Sequence, residues 1–213
     1  MLPPALPVFP LPNVVLFPNV FLPLHIFEPR YREMVLDTLD GDRLIGIVLL
    51  RPGWEANYEG RPPVYPTGCA GLITHHERLA DGRYNIVLRG LEKFRILQED
   101  QDEARSYRIA HVETLHEPLV DAEREQIRAA RRRLEALLVP QAQGRGAETN
   151  VAPAMADEDM VNALAQYMEL EPLEKQALLE SQGLLARCRS LIELLEMKMI
   201  VATSLAGMPP GHC

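Results

Sequence analysis

The hydrophobic pattern changes period once along the chain. From residue 8 to about 117, short apolar runs are bounded by Pro, Gly and Asp. They are Val14–Phe17, Phe21–Leu24, Leu44–Leu50 (cut by Pro52-Gly53), Gly68–Thr74, Tyr84–Leu88, Phe94–Leu97 and Tyr107–Val112. Short β-rich runs at this spacing predict a small closed or half-closed sheet. Asp81-Gly82 falls between two of them, where a tight hairpin needs a residue tolerant of positive φ. One helix interrupts the series. Pro29 can occupy its first position, where a missing N–H is harmless, Tyr31, Met34, Val35 and Leu39 mark one face, and Gly41 stops it.

After Pro118 the period is helical. Asp121 can cap a helix to about Leu138 with Ile127, Leu134, Leu137 and Leu138 inward. Asp157–Tyr167 reads as a second helix and Pro172 begins a short third. Ser181 can cap a long last helix striped by Leu184, Cys188, Leu191, Leu195 and Met199. Between the first two helices, residues near 141–152 are Gly-, Ala- and polar-rich and read as a flexible loop. The expectation is an α+β chain: a β-rich subdomain at 1–117 followed by a helical subdomain at 118–213, sharing an interface.

Composition narrows the class. With 213 residues, 47% hydrophobic and 24% charged, the chain can build a core without staples. Its net charge of −8 repels a nucleic-acid backbone. The dense basic run Arg131-Arg132-Arg133 is interleaved with Glu123, Glu125 and Glu135, as on a solvated helix face. Cys69, Cys188 and Cys213 are an odd set without CxxC spacing, so neither a disulfide framework nor a zinc cluster is expected. The first residues lack a basic n-region, and no run of about 18 apolar residues occurs anywhere. A soluble protein of a reducing cytoplasm is the default, with no membrane contact.

Catalytic chemistry is hard to place. The sequence holds no GxxxxGK[ST] phosphate loop, no GxSxG elbow and no HExxH helix. The lysines, Lys93, Lys175 and Lys198, all sit among charged neighbours and read as ordinary solvated side chains rather than partners of a nucleophile. His75 and His76 would point to opposite faces of a strand, so they cannot converge on one metal; with Glu77 they read as a polar turn before Asp81-Gly82. His25, between Leu24 and Ile26, reads as a hydrogen-bonded core or structural histidine rather than a base. Glu28, Arg30 and Arg32 are either a substrate clamp or the electrostatics of a helix start. Trp54, Tyr58 and Tyr65 lie in a Pro/Gly-punctuated stretch, as peptide anchors or as a lid on the barrel. The binding candidates are therefore Trp54, Tyr58, Tyr65 and Arg30; no catalytic residue, metal or cofactor is expected.

The opening stretch carries a family resemblance. Phe9-Pro10-Leu11-Pro12-Asn13-Val14-Val15-Leu16-Phe17-Pro18 followed by Leu22-Pro23-Leu24-His25-Ile26-Phe27-Glu28-Pro29-Arg30-Tyr31 resembles the signature of Lon protease N-terminal domains, in a form similar to their short, stand-alone bacterial branch. Gly46-Ile47, Gly68-Cys69-Ala70-Gly71, Asp81–Ile86, Gly90 and Phe94-Arg95-Ile96 continue it in order. The resemblance implies a PUA-like pseudo-barrel followed by a helical bundle. It also implies a region that in Lon recognises unfolded or tagged polypeptides, with catalysis lying downstream. Here the chain ends at Gly211-His212-Cys213, so neither the ATPase nor the Ser-Lys peptidase is expected. The resulting expectation is a non-catalytic polypeptide-binding module, an adaptor or regulator in protein quality control. Two other classes stay open. A PUA-like barrel can host RNA, which the net charge opposes. An ATP-independent hydrolase or small-ligand binder would show a deep pocket of perturbed titratable groups.

Overall fold

The computed structural model describes residues 2–58, 60–100, 105–118, 120–142 and 155–206. The strands are β1 (Ala5–Leu11), β2 (Phe21–Ile26), β3 (Leu44–Leu49), β4 (Thr67–Arg78), β5 (Tyr84–Glu99) and β6 (Arg108–Leu115). The helices are α1 (Pro29–Leu39), α2 (Arg124–Ala142), α3 (Asp157–Tyr167), α4 (Pro172–Glu180) and α5 (Leu184–Ala206). This is the α+β arrangement anticipated, a β-rich pseudo-barrel followed by helices.

Strand order explains the barrel. The sheet runs β2-β5-β4-β3-β1-β6, and β6 also pairs with β5. The ring therefore closes through β5-β4-β3-β1-β6, and β2 is a flap on the first half of β5. Length makes this possible: β5 gives Tyr84–Arg89 to β2 and its residues from Lys93 onward to β6. All neighbours are antiparallel except β1 and β3. Register shifts in β4/β5 and β5/β6 supply the local bends that closure needs.

The bore is filled, not hollow. Leu6, Val8, Val48, Ala70, Phe94 and Ala110 form a buried cluster. Phe94 reaches the middle because two facing positions lack a side chain: a Cβ on either Gly46 or Gly68 would come within 2.8 Å of its ring. At the β4–β5 hairpin, Gly82 adopts φ 82° and its N–H donates to the Leu79 carbonyl, as the Asp81-Gly82 pair predicts.

Helix α1 buries Tyr31, Met34, Val35 and Thr38. Thr38 takes the inward place expected for Leu39, and its hydroxyl is satisfied by donating to the Met34 carbonyl at 2.6 Å.

By contact density the chain falls into two compact units: Met1–His116 with Asn162–Glu180, and Glu117–Val161 with Ser181–Cys213. The change of period near 117 and the change of unit thus follow different lines. In the first unit, the end of α3 and all of α4 are bound to the barrel by polar side chains. Asn162 Nδ2 donates to the Pro18 carbonyl (3.1 Å), and the Phe17 N–H donates to Gln166 Oε1 (3.2 Å). Gln176 Nε2 donates to the Thr67 carbonyl (3.0 Å). Irregular backbone at Phe17-Pro18 has no strand partner there, so these amides complete its hydrogen bonding. Lys93 belongs to the same set. It is buried, not solvated, and its ammonium donates to the Leu179 carbonyl at 2.8 Å.

In the second unit α2 packs along α5. Ile127, Leu134, Cys188, Leu191 and Leu195 are buried, as their spacing predicts. Arg131 bridges Glu135 and Asp157, and Arg133 pairs with Glu196, so the basic run is spent on ion pairs. The α5 start differs from expectation. The first turn is closed by Arg187 N–H donating to the Gly183 carbonyl, and Gly183 has φ 88°, so Gly183, not Ser181, is the boundary. Residues 143–152 of the stretch read as a flexible loop, and Cys213, lie outside the described residues.

Candidate functional site

The site is assembled at one rim of the barrel, where the loop after β3 meets the start of α1 and the start of β6. Pro10, Arg30, Tyr31, Leu50, Tyr58, Gly60, Arg61, Pro62, Arg105, Ser106, Tyr107 and Arg108 line a cleft of about 290 Å³. Four of these are arginines, and none of the described lining residues is acidic.

Arg30 is the most constrained of them. It stands in the first turn of α1, with its guanidinium 4.7 Å from the Tyr31 ring centre and 4.9 Å from that of Tyr58. Nε and Nη2 donate to Glu28 Oε2 at 3.1 and 2.9 Å, and Nη1 donates to the Tyr58 carbonyl at 3.2 Å. The Tyr58 hydroxyl donates to the other Glu28 oxygen at 2.5 Å. A short 3₁₀ turn, Trp54–Asn57, brings Trp54 edge-on to Tyr58, with ring centres 5.3 Å apart. Burial alone would weaken the Arg30 charge, but Tyr31 and Glu28 outweigh it, and its pKa lies above the ordinary value.

The opposite wall is built the same way. Arg108 donates through Nε and Nη2 to the two Glu99 oxygens and through Nη1 to the Pro62 carbonyl. Arg61 donates to the Asp100 carbonyl. The two-oxygen pair with Glu99 fixes both the position and the plane of the Arg108 guanidinium, whereas Arg30 gives two N–H groups to one Glu28 oxygen. Arg30 and Arg108 are half-buried, whereas Arg61 and Arg105 are exposed, so the charged lining runs from the cleft wall outward. Burial pushes the Tyr31 phenol up to about 12. Burial does the same for Tyr107, helped by the bond its hydroxyl donates to Asp37 (2.8 Å). Both rings are therefore neutral donors at physiological pH.

A second hollow, about 410 Å³, shares Arg105 and Tyr107 with the first but is lined by Asp37, Asp40 and Asp42. The two have opposite electrostatic character.

The structure thus brings together Arg30, Tyr58 and Trp54 of the residues singled out by sequence. Tyr65 is elsewhere, beneath Arg51 at 5.4 Å. Arg32 does not join Glu28 and Arg30 in a clamp; it lies against the hairpin turn, where a Cβ on Gly82 would meet its Nη2 at 2.2 Å. Arg61, Arg105 and Arg108 carry no mark in the sequence, since their convergence depends on barrel closure.

Other candidates resolve differently. His25 is exposed, not in a core. Its Nδ1 lies 2.8 Å from Asn85 Oδ1 and its Nε2 3.1 Å from Arg83 Nη1, so it is a hydrogen-bonded surface histidine. His75 and His76 belong to β4 rather than to a turn, because the strand runs on to Arg78. Among the described residues no group of three metal-ligating side chains converges. No described helix is long and apolar enough to cross a membrane. Cys69 and Cys188 are buried thiols outside any disulfide, Cys69 Sγ donates to the Ala70 carbonyl, and burial pushes the Cys188 thiol up to about 11. Lys175, half-buried, has its pKa lowered by desolvation, and its ammonium donates to the Gln166 carbonyl.

Residues 5–197 match the family model described as the ATP-dependent protease La (LON) substrate-binding domain. Among curated proteins, Lon protease 2 of Myxococcus xanthus is 28% identical over 92% of this chain and 24% of its own length. Lon protease of Anaeromyxobacter dehalogenans is 27% identical over 92% and 24%. The chain therefore spans about a quarter of the length of these relatives. Among solved structures, the N-terminal domain of Mycobacterium avium complex Lon protease aligns with a TM-score of 0.69 at 20% identity, covering 90% of this chain and 98% of that one. A Lon N-terminal domain protein from Xanthomonas campestris aligns with a TM-score of 0.59 at 20% identity, covering 96% and 99%. At these identities the structural likeness establishes the fold alone.

Proposed function

The chain belongs to the Lon substrate-binding domain family, and from that premise we propose that it is a non-catalytic polypeptide-binding module, an adaptor or regulator in protein quality control. The observation that carries this reading is the family match across 5–197. The rim cleft supports it physically. The barrel presents a partly apolar hollow edged by Tyr and Arg, which are enriched in binding hot spots, beside the apolar Pro and Leu common in small pockets.

Clients in this reading are unfolded or exposed polypeptide segments met in the cytoplasm, without nucleic acid or membrane. Tyr58 and Arg30 contact the client in the cleft and Trp54 extends the wall behind Tyr58, with Tyr65 a more peripheral contributor. The β-rich part at 1–117 carries recognition, and the helical part at 118–213 carries assembly or partner contacts. The sequence lacks a phosphate-binding loop, so nucleotide hydrolysis of the P-loop kind is not ascribed to this chain.

Crosslinking of the full chain to denatured client proteins is the direct test. Enrichment of unfolded over native clients is expected, reduced by substitution of Tyr58. Equal recovery of native and denatured clients, from a chain whose circular dichroism is intact, would remove the proposal.

A further inference from the structure

Past the closed ring, β2, the first half of β5 and the second half of β4 continue as three strands with two outer edges. We propose that an extended segment of an unfolded client polypeptide adds to one of them, the edge of β4 at Thr74–Arg78, as a further strand held by its backbone. This rests on the polypeptide-binding reading and specifies how the client is gripped.

The edge of β2 is closed by its own sequence. The Gly90 N–H donates to the Val20 carbonyl (2.9 Å), so alternation turns Leu22, Leu24 and Ile26 toward β5 and Phe21, Pro23 and His25 outward. Pro23 has no N–H to offer an incoming strand. The Phe21 carbonyl already accepts from the Tyr167 hydroxyl at 3.0 Å. The outward row is thus broken in its middle and taken at one end.

The edge of β4 is open. β3 and its lead-in cover it only as far as Ile73, whose N–H donates to the Arg43 carbonyl at 2.9 Å. Arg43 has φ 59° and its N–H donates to the Thr38 carbonyl, so the chain arriving from α1 reaches β4 only there. Beyond that point β4 runs on through Thr74, His75, His76, Glu77 and Arg78, all exposed. The Leu79 N–H donates to the Arg83 carbonyl (2.8 Å), so alternation gives Glu77 and His75 to β5 and leaves the N–H and C=O of His76 and Arg78 facing out. Among the described residues no strand pairs with them on that side.

The chemistry of this edge identifies its occupant. Donor–acceptor sets two residues apart repeat at about 6.8 Å, which is the spacing of another extended backbone. Strand addition takes its affinity from main-chain hydrogen bonds, the groups that every unfolded polypeptide exposes whatever its sequence. A second copy of this chain fits less well. The open stretch, Thr74–Arg78, is short and polar beside the roughly 20–30 residues a side of a lasting interface between folded proteins. A client strand needs no such area, because the rim cleft holds another part of the same client and the two contacts reinforce each other.

The test uses the full chain and a labelled short peptide of alternating Val and Thr, followed by anisotropy. His76→Pro removes an outward N–H while sparing the bonds to β5, and should weaken binding by about tenfold. His76→Ala keeps that N–H and should bind as the unsubstituted chain does. In the unsubstituted chain, saturating peptide should slow amide hydrogen exchange at His76 and Arg78, a readout that stands even where the proline variant fails to fold. Binding unchanged in a folded His76→Pro would overturn the proposal, as would an equal loss in His76→Ala, unchanged exchange at both amides, or no binding of the peptide. A dimer in sedimentation that His76→Pro dissolves would overturn it in favour of a second copy. Denatured-client crosslinking on the same preparations keeps the two readings apart. Clients captured equally by the unsubstituted chain and folded His76→Pro sink only the strand assignment, and no capture of any client sinks the polypeptide reading with it.

Discussion

The barrel's bore and its rim solve opposite problems with polar and apolar side chains. In the bore, Phe94 occupies the space left by Gly46 and Gly68, and the buried Lys93 enters the surrounding packing with its ammonium bonded to the Leu179 carbonyl. At the rim, charged groups are also partnered, yet they stay at an open surface and face a hollow. Buried polar groups with fixed backbone acceptors specify a structure, because breaking one leaves an unsatisfied group. Half-buried arginines held by carboxylates specify an orientation while keeping their reach to a ligand. The contrast locates stability in one place and recognition in the other.

The contrast breaks most severely at the ring that fills the bore. Phe94→Ala should cost about 3–5 kcal/mol, measured by urea denaturation, because two facing glycines cannot fill the cavity. Next is the polar seam between α3 and the loop at Phe17-Pro18. Asn162→Leu should cost about 1–3 kcal/mol by stranding the buried Pro18 carbonyl, read as a fall in denaturation midpoint.

A smaller, graded loss should appear at alkaline pH. Tyr31 and Tyr107 hold their protons up to about 12, against an ordinary value of 10.0. Above pH 10 the folded chain binds more protons than the unfolded one. Their contribution is therefore complete below the ordinary value and is lost as pH rises through about 12. Denaturation midpoints collected with phenolate absorbance over that range should fall together, and less steeply in Tyr31→Phe. The smallest effect belongs to the rim. Arg61→Gln should change stability by less than about 0.5 kcal/mol, as surface substitutions do, while it weakens capture of denatured clients. A large stability loss there would erase the distinction between rim and bore.

Local pattern was a good guide wherever one element decides its own fate. Periodicity marks α3 at Asp157–Tyr167 and starts α4 at Pro172, and the Asp81-Gly82 turn and the Ile127–Leu134 face follow from residue spacing. Long-range closure was not legible. Lys93 looked solvated because the carbonyl that accepts its hydrogen bond is 86 residues away. His25 looked internal because its apolar neighbours hid that β2 is a flap, with its partner Asn85 60 residues on. The candidate site was half visible. Aromatics in a Pro/Gly-rich stretch marked Tyr58 and Trp54, and the helix start marked Arg30. Arg61, Arg105 and Arg108 had no local signal, because only ring closure through β6 carries them to the same rim.

A filled bore makes the barrel a chassis rather than a container. Because Phe94 fills the bore, the segment from Arg51 to Pro66 can be exchanged as a cassette, on three conditions. Val64 keeps its bridge to Leu50 and its place against the core, the Tyr65 and Pro66 backbone keeps its bonds to Leu49 and Ile96, and Glu28 keeps a hydroxyl in place of that of Tyr58. Libraries built on that cassette would vary what is gripped while the denaturation midpoint stays put, and the domain could be retargeted as antibody loops are, on a frame with no disulfide among its described residues.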